Sequence, residues 1–181
     1  PEYLRAAGYY CSNNYKKDYN FKDVNVWDES SHEAHWRKRK AGQPFFSVFN
    51  FTSTHQGQIN GSDEEFFDKY TSKLRPGERH GDKKIPLPPY YPDTPFIRKI
   101  WTRYYNLITY MDKQVGDLLF QLKADGLEDN TIVFFFSDHG LGLPRFKRTL
   151  YDSGLNVPLI IRFGRRYQYF SPLRAGRRTD H

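Results

Sequence analysis

Thr94-Pro95-Phe96-Ile97-Arg98-Lys99-Ile100-Trp101-Thr102-Arg103-Tyr104 opens the run that decides the fold, and the segment from Gly126 to Gly140 completes it. The Thr94 hydroxyl can cap a helix, and Pro95 suits the first helical position because its φ is preset. Ile97, Ile100, Trp101, Tyr104, Ile108, Met111, Val115, Leu118, Leu119 and Leu122 then recur at helical spacing. The spacing predicts a helix from Thr94 to about Ala124, closed by Gly126. Directly beyond it, Thr131-Ile132-Val133-Phe134-Phe135-Phe136 is a continuous apolar run. That is the pattern of a strand covered on both faces in a parallel sheet. Ser137-Asp138-His139-Gly140 follows at its end.

On either side lie further strands. Tyr9 to Ser12 reads as a short buried strand, and the polar segment Asn13 to Asn20 follows it. Pro44-Phe45-Phe46-Ser47-Val48-Phe49-Asn50-Phe51 is short, aromatic and bounded by breakers, which predicts another strand. Val157-Pro158-Leu159-Ile160-Ile161 predicts a third of the parallel kind, Pro158 being tolerable near its start. Ser30-Ser31-His32-Glu33 has the form of a capping box opening a short basic helix to Lys40, stopped by Gly42. Residues 57–92 hold many Gly and Pro residues and read as one long irregular excursion. Strand, helix, strand, loop and strand make an α/β domain: a mixed, largely parallel sheet flanked by helices.

Composition narrows the function. With 181 residues the prior is one domain, or one with a short extension. The longest apolar run falls far short of a membrane span. The single cysteine, Cys11, excludes an internal disulfide framework and any multi-cysteine zinc site. A net charge of +7 favours an anionic partner without naming it. The chain opens on Pro1 with no signal-like pattern and stops abruptly at His181, as expected of a fragment, a processed piece, or a chain counted from its first ordered residue.

In open α/β sheets ligands bind at the carboxyl ends of strands, and three polar clusters sit at such ends here. Asp138 and His139 can both reach one cation, the carboxylate and imidazole suiting a hard or borderline divalent ion; alternatively Asp138 caps the turn that follows. His55, in Thr52-Ser53-Thr54-His55-Gln56-Gly57, is placed for proton transfer or an oxyanion contact, or else bonds its own loop backbone. Lys16 and Asp18 alternate along an extended segment; Lys16 can hold an anion as a point charge or lie solvated. Lys147-Arg148, nine residues beyond Asp138, would complete an anion pocket beside a metal, or form a solvated basic loop.

Taken in order, these residues resemble the sulfatase family of the alkaline phosphatase superfamily. The block Tyr104…Met111-Asp112…Gly126-Leu127…Thr131-Ile132-Val133 with Ser137-Asp138-His139-Gly140 is similar to the family's helix-to-metal-strand block. Leu143 to Arg148, Tyr151-Asp152-Ser153-Gly154-Leu155 and Val157-Pro158-Leu159 resemble the block after it, and Gly8 to Asn20 resembles the sulfamidase-like branch. The resemblance covers nearly the whole chain.

It implies one calcium ion, with Asp138 and His139 as its later two ligands; His139 stands where many members have Asn. It implies that His55 contacts the sulfate and protonates the leaving group. Lys147 and Lys16 hold the sulfate, Arg148 lies beside it, and Asp18 takes a place where classical members carry His. The family's formylglycine arises from a Cys/Ser-x-Pro-x-Arg motif. No such motif occurs here, since Cys11 is followed by Ser12-Asn13-Asn14 and reads as a buried structural thiol.

The expectation is therefore that residues 1–181 are the central part of a sulfatase-type catalytic domain, an incomplete domain. The nucleophile segment and paired calcium aspartates would lie before Pro1, and the C-terminal subdomain beyond His181. The implied parent is a sulfuric ester or N-sulfate hydrolase acting on sulfated carbohydrate, periplasmic, secreted or lysosomal; these residues alone would not turn over an aryl sulfate. Two alternatives stay open. One is a phosphoester hydrolase or phosphotransferase of the same superfamily. The other is a non-catalytic polyanion-binding module, using Arg37-Lys38-Arg39-Lys40 and Arg162, Arg165, Arg166, Arg174, Arg177 and Arg178. This module, nucleic-acid binding included, is the less favoured reading, because basic runs are usually solvated faces and the aromatics sit at core spacing. Asn50-Phe51-Thr52 and Asn60-Gly61-Ser62 are glycosylation sequons, Asn60 being the better acceptor.

Overall fold

A computed structural model describes the chain except for residues 23, 83, 84 and 173–181. Of the basic cluster near the C-terminus, Arg174, Arg177 and Arg178 lie outside the described residues. The chain forms two compact units, Pro1–Thr52 and the residues from Ser53 onward.

The first unit holds a short helix, α1 (Glu2–Ala6), and three strands, β1 (Tyr10–Asn14), β2 (Glu29–Ser30) and β3 (Phe45–Phe49). They form a parallel sheet in the order β2-β1-β3, with Ser12 opposite both Glu29 and Ser47. As the central strand, β1 is the best covered, and its buried polar residues are satisfied across the sheet. Ser12 Oγ lies 2.8 Å from Ser47 Oγ, and Asn13 Nδ2 donates to Ser30 Oγ at 3.0 Å. Asn50 Nδ2 donates to Asn13 Oδ1 at 3.0 Å, so the first sequon's amide is engaged in the sheet. Trp36 packs on Phe45 and Phe49, with ring centroids 5.8 and 5.5 Å away. Cys11 is fully buried, and burial pushes its thiol pKa up, in keeping with a structural role.

Ser30 does not open a helix. It belongs to β2, where its hydroxyl accepts from Asn13 while the Ser31 amide bonds Asn13 O at 3.1 Å. Sheet pairing outcompetes the local box, and only a 3-10 turn forms, Trp36–Lys38, capped by His35 Nδ1.

The second unit is built on the long helix. After α2 (Asp63–Lys69) comes α3 (Pro95–Ala124), with Thr94 as N-cap accepting from the Ile97 amide. Gly126, at φ +69°, follows its end. α3 buries Trp101, Tyr104, Leu107 and Leu122, and Tyr104 and Leu107 join Ile59, Phe66 and Tyr70 in the core. Two polar residues on the same helix are also buried. Asn106 Oδ1 accepts from the His80 amide at 3.0 Å, and Arg103 donates to Ile59 O at 2.6 Å. Residues 57–92 are thus less irregular than expected. They contain α2, with a complete capping box between Ser62 and Glu65, and several 3-10 turns tied to α3.

β4 (Ile132–Phe136) and β5 (Leu159–Phe163) flank α4 (Asp152–Leu155). They pair antiparallel, Ile132 opposite Phe163 and Phe136 opposite Leu159. This corrects the expectation of doubly covered parallel strands. A parallel partner needs a crossover that returns the chain to the start of β4. Residues 137–158 bonded across Gly140 and Gly154 instead stay near its end, so β5 runs back alongside. Phe134, Phe136, Leu159 and Ile160 remain exposed. The fold class is a mixed α/β one, with a parallel three-stranded sheet and flanking helices. No helix among the described residues is long and apolar enough to cross a membrane.

Candidate active site

His55, Asp138, His139, Lys147 and Arg148 all belong to the second unit; Lys16 and Asp18 belong to the first. His55 follows β3 in sequence and caps the 3-10 turn Gln56–Ile59. Its Nδ1 accepts from the Gly57 amide at 3.4 Å. An amide N–H can only donate, so the neutral ring carries its proton on Nε2, the nitrogen left to meet a substrate oxygen. So held, the ring can donate a hydrogen bond from Nε2, whereas giving up a proton needs the imidazolium, with Nδ1 released from the Gly57 amide. Ser53 Oγ donates to Gln114 Oε1 at 2.8 Å, and Thr54 Oγ1 meets Met111 Sδ at 3.8 Å, which ties this segment to α3.

Asp138 and His139 lie just beyond β4, with His139 Nε2 3.6 Å from Asp138 Oδ1. His139 Nδ1 is 2.7 Å from Gly140 O. A carbonyl can only accept, so Nδ1–H donates there and, in the neutral ring, the Nε2 lone pair faces the carboxylate. Two acceptors so close favour a cation between them, and a backbone-anchored imidazole is typical of a metal ligand. The donor set fits part of a divalent site. Calcium takes about six to eight oxygens, and no group of three or more His, Cys, Asp or Glu placed to hold a metal occurs among the described residues.

The following loop returns to the same place. The Lys147 amide donates to Leu141 O at 2.8 Å, and the Gly140 amide donates to Gly154 O at 3.1 Å. Arg145 and Arg148 both sit at φ +71°, a conformation non-glycine residues rarely adopt and one that clusters at functional sites. Arg145 O accepts from the hydroxyls of Ser153 and Thr149, which holds the turn.

Sequence reasoning missed the residues that brace this loop. Tyr91 OH donates to Pro144 O at 2.6 Å, and burial pushes the Tyr91 phenol pKa up. Phe146 packs on Trp101 with centroids 6.1 Å apart, and Arg145 lies 4.9 Å over the Tyr90 ring. Gly142 packs on Gln56, next to His55: a Cβ there would stand 2.9 Å from Gln56 Cα. No local pattern announces the Tyr91 contact, whereas the spacing Gly140-x-Gly142 was readable as a close approach.

The fold thus brings the segments carrying His55, Asp138-His139 and Lys147-Arg148 together through Gln56–Gly142 and Leu141–Lys147 contacts. It pairs the other two candidates with each other. Lys16 Nζ lies 3.0 Å from Asp18 Oδ2, so Asp18 partly neutralises the cation expected to hold an anion. Elsewhere Lys38 pairs with Glu29 and Arg162 with Glu128. A proton donor, a carboxylate–imidazole pair and a basic loop suit hydrolysis of an anionic ester.

The chain is 46% identical over 187 residues to an ulvan-active sulfatase of Formosa agariphila, a match covering 90% of this chain and 31% of that protein. It is 30% identical over 132 residues to human N-sulphoglucosamine sulphohydrolase, covering 66% and 26%. It is 27% identical over 138 residues to an endo-4-O-sulfatase of Bacteroides thetaiotaomicron, covering 69% and 25%. The chain spans less than a third of the length of each of these relatives. The sulfatase family model matches residues 3–177, a span that takes in Lys16, Asp18, His55, Asp138, His139, Lys147 and Arg148. On that match the chain belongs to the sulfatase family.

Proposed function

We propose that the protein hydrolyses sulfate esters of a sulfated carbohydrate, and that this chain contributes proton transfer and sulfate binding. The observation that carries the reading is the meeting of the His55 segment with the loop beyond Asp138-His139, through Gly142 and Gln56. The similarity to an ulvan-active sulfatase and to an endo-4-O-sulfatase supports a glycan substrate.

In this reading His55 meets the sulfate as the imidazolium, giving up the long 3.4 Å bond from the Gly57 amide so that both nitrogens carry a proton, and returns to the neutral ring by passing its Nε2 proton to the leaving sugar oxygen. Lys147 and Arg148 hold the sulfate oxygens and offset charge that builds as the S–O bond breaks. Lys16, which pairs with Asp18, is kept in this reading as a further candidate cation for a sulfate. Asp138 and His139 would hold a divalent cation, calcium in this proposal, which would polarise the sulfate. The oxygen nucleophile would be a formylglycine from a Cys/Ser-x-Pro-x-Arg motif, which residues 1–181 do not contain. Buried Cys11 is not a candidate for it. A periplasmic, secreted or lysosomal setting fits such a substrate.

The test is turnover of 4-nitrophenyl sulfate and 4-nitrophenyl phosphate by the full-length protein. Sulfate release is expected to dominate. His55→Ala should lower kcat by about 10²–10⁴-fold, the usual contribution of a general acid. Phosphate turnover without sulfate turnover, or an unimpaired His55→Ala enzyme, would falsify the reading.

A further inference from the structure

Beside the turn that His55 caps lies a cavity of about 330 Å³, lined by Gly57, Gln58, Asn60, Glu65, Lys69 and Tyr70 among others. Its size is at the lower end of ligand pockets and suits one sugar ring. Gly57, whose amide bonds His55 Nδ1, forms one end, so the cavity adjoins the proposed active site.

The chemistry of the lining is specific. Lys69 Nζ donates to Gln58 Oε1 at 2.9 Å and lies 5.2 Å from the centroid of the Tyr70 ring. Both partners are neutral and the ammonium makes no ion pair among the described residues, although Glu65, one turn earlier on the same helix, lines the cavity with it. The Tyr70 hydroxyl donates to the same Gln58 oxygen. Two donors on one oxygen fix the amide and leave its NH2 group to donate. Glu65 accepts from the Ser62 amide at 2.7 Å, and that bond holds its carboxyl below the usual range. It stays ionised and can accept from hydroxyl groups.

The wall is preorganised from behind. Arg103, 6% exposed, donates to Ile59 O at 2.6 Å, Gly61 O at 3.0 Å and Asp63 Oδ1 at 2.7 Å. Its guanidinium also lies 4.9 Å over the Phe66 ring. A buried arginine committed to loop carbonyls lowers the ordering cost of any ligand that meets that loop. Amide donors, the Glu65 carboxylate as a hydroxyl acceptor, aromatic surface and an ammonium held by neutral contacts together describe a pyranose whose hydroxyls meet Glu65 and whose anionic substituent meets Lys69.

We propose that this cavity is a subsite for an anionic sugar residue, bearing a carboxylate or a sulfate, that neighbours the residue being desulfated. The proposal rests on the sulfatase reading of the adjoining site. Lys69 pairs with the anionic group, and Gln58, Asn60 and Glu65 meet the hydroxyls.

The full-length protein is titrated calorimetrically with two probes. A hyaluronan tetrasaccharide carries uronate and no sulfate; a κ-carrageenan tetrasaccharide carries sulfate and no uronate. Binding of at least one is expected. Lys69→Met should weaken it about tenfold, the worth of one hydrogen bond to a charged group, and Lys69→Arg should largely restore it. Loss confined to the first probe assigns a carboxylate, and loss confined to the second a sulfate. No binding of either probe, or equal binding by wild type and Lys69→Met, overturns the subsite. Neither probe result depends on aryl sulfate turnover. Lys69-dependent binding without turnover sinks the sulfatase reading alone, and turnover without it sinks the subsite alone.

Discussion

Gly142 packs its backbone directly against Gln56, the residue after His55. A Cβ on Gly142 would stand 2.9 Å from Gln56 Cα and closer still to Gln56 Cβ. Real Cβ atoms do not approach backbone so closely, so only glycine lets the two loops touch. The φ of Gly142 is not what demands glycine; the space is.

Gly142→Ala should therefore separate the two loops. Overpacking of this kind costs about 1–3 kcal/mol, and His55 should be displaced from the loop that carries Lys147. In the full-length protein a lowered thermal midpoint and a loss of sulfate turnover are expected. An unchanged midpoint with full turnover would contradict the contact.

Tyr91→Phe removes one hydroxyl and leaves Pro144 O without its 2.6 Å partner. The expected cost is about 0.5–1.5 kcal/mol, read as an earlier urea midpoint. Because Pro144 begins the turn that leads to Lys147, KM for a sulfate ester should rise more than kcat falls. Equal KM in both proteins would show that the hydroxyl braces nothing of functional weight.

Two phenols make the fold sensitive to alkali. Burial, then the hydrogen bond to Glu29, pushes Tyr10 up to about 12. Burial, with Tyr105 nearby, pushes Tyr104 up to about 12. Both hold their protons more tightly folded than unfolded, where the ordinary value is 10. Their contribution is therefore complete below about pH 10 and is lost as pH rises towards 12. Denaturant midpoints should fall across that window, and less so in Tyr10→Phe. A flat profile from pH 10 to 12 would refute the assignment.

Much of the second unit was readable along the chain. Thr94, Pro95 and the apolar spacing up to Leu122 defined α3 to the residue, because caps and helical periodicity act within a few positions of one another. The strand-end positions of Lys16, His55 and Asp138 followed in the same way from short apolar runs. Local signals failed where distant partners competed. Ser30 had the form of a helix cap, yet β1 offered it a sheet position and a partner in Asn13. The Ser62–Glu65 box in residues 57–92 was equally legible and went unread, since the Gly and Pro content argued for loop.

The sequence by itself determined the helix, the strand ends and the chemistry that stands at them, since each depends on neighbours along the chain. Tertiary structure alone decided that β5 runs antiparallel to β4. It also decided that Gly142 meets Gln56 and that Arg103 stiffens a loop more than 40 residues away. These contacts join residues far apart in sequence. Their energies come from steric fit, hydrogen bonding and burial in three dimensions, which no periodicity or short motif encodes.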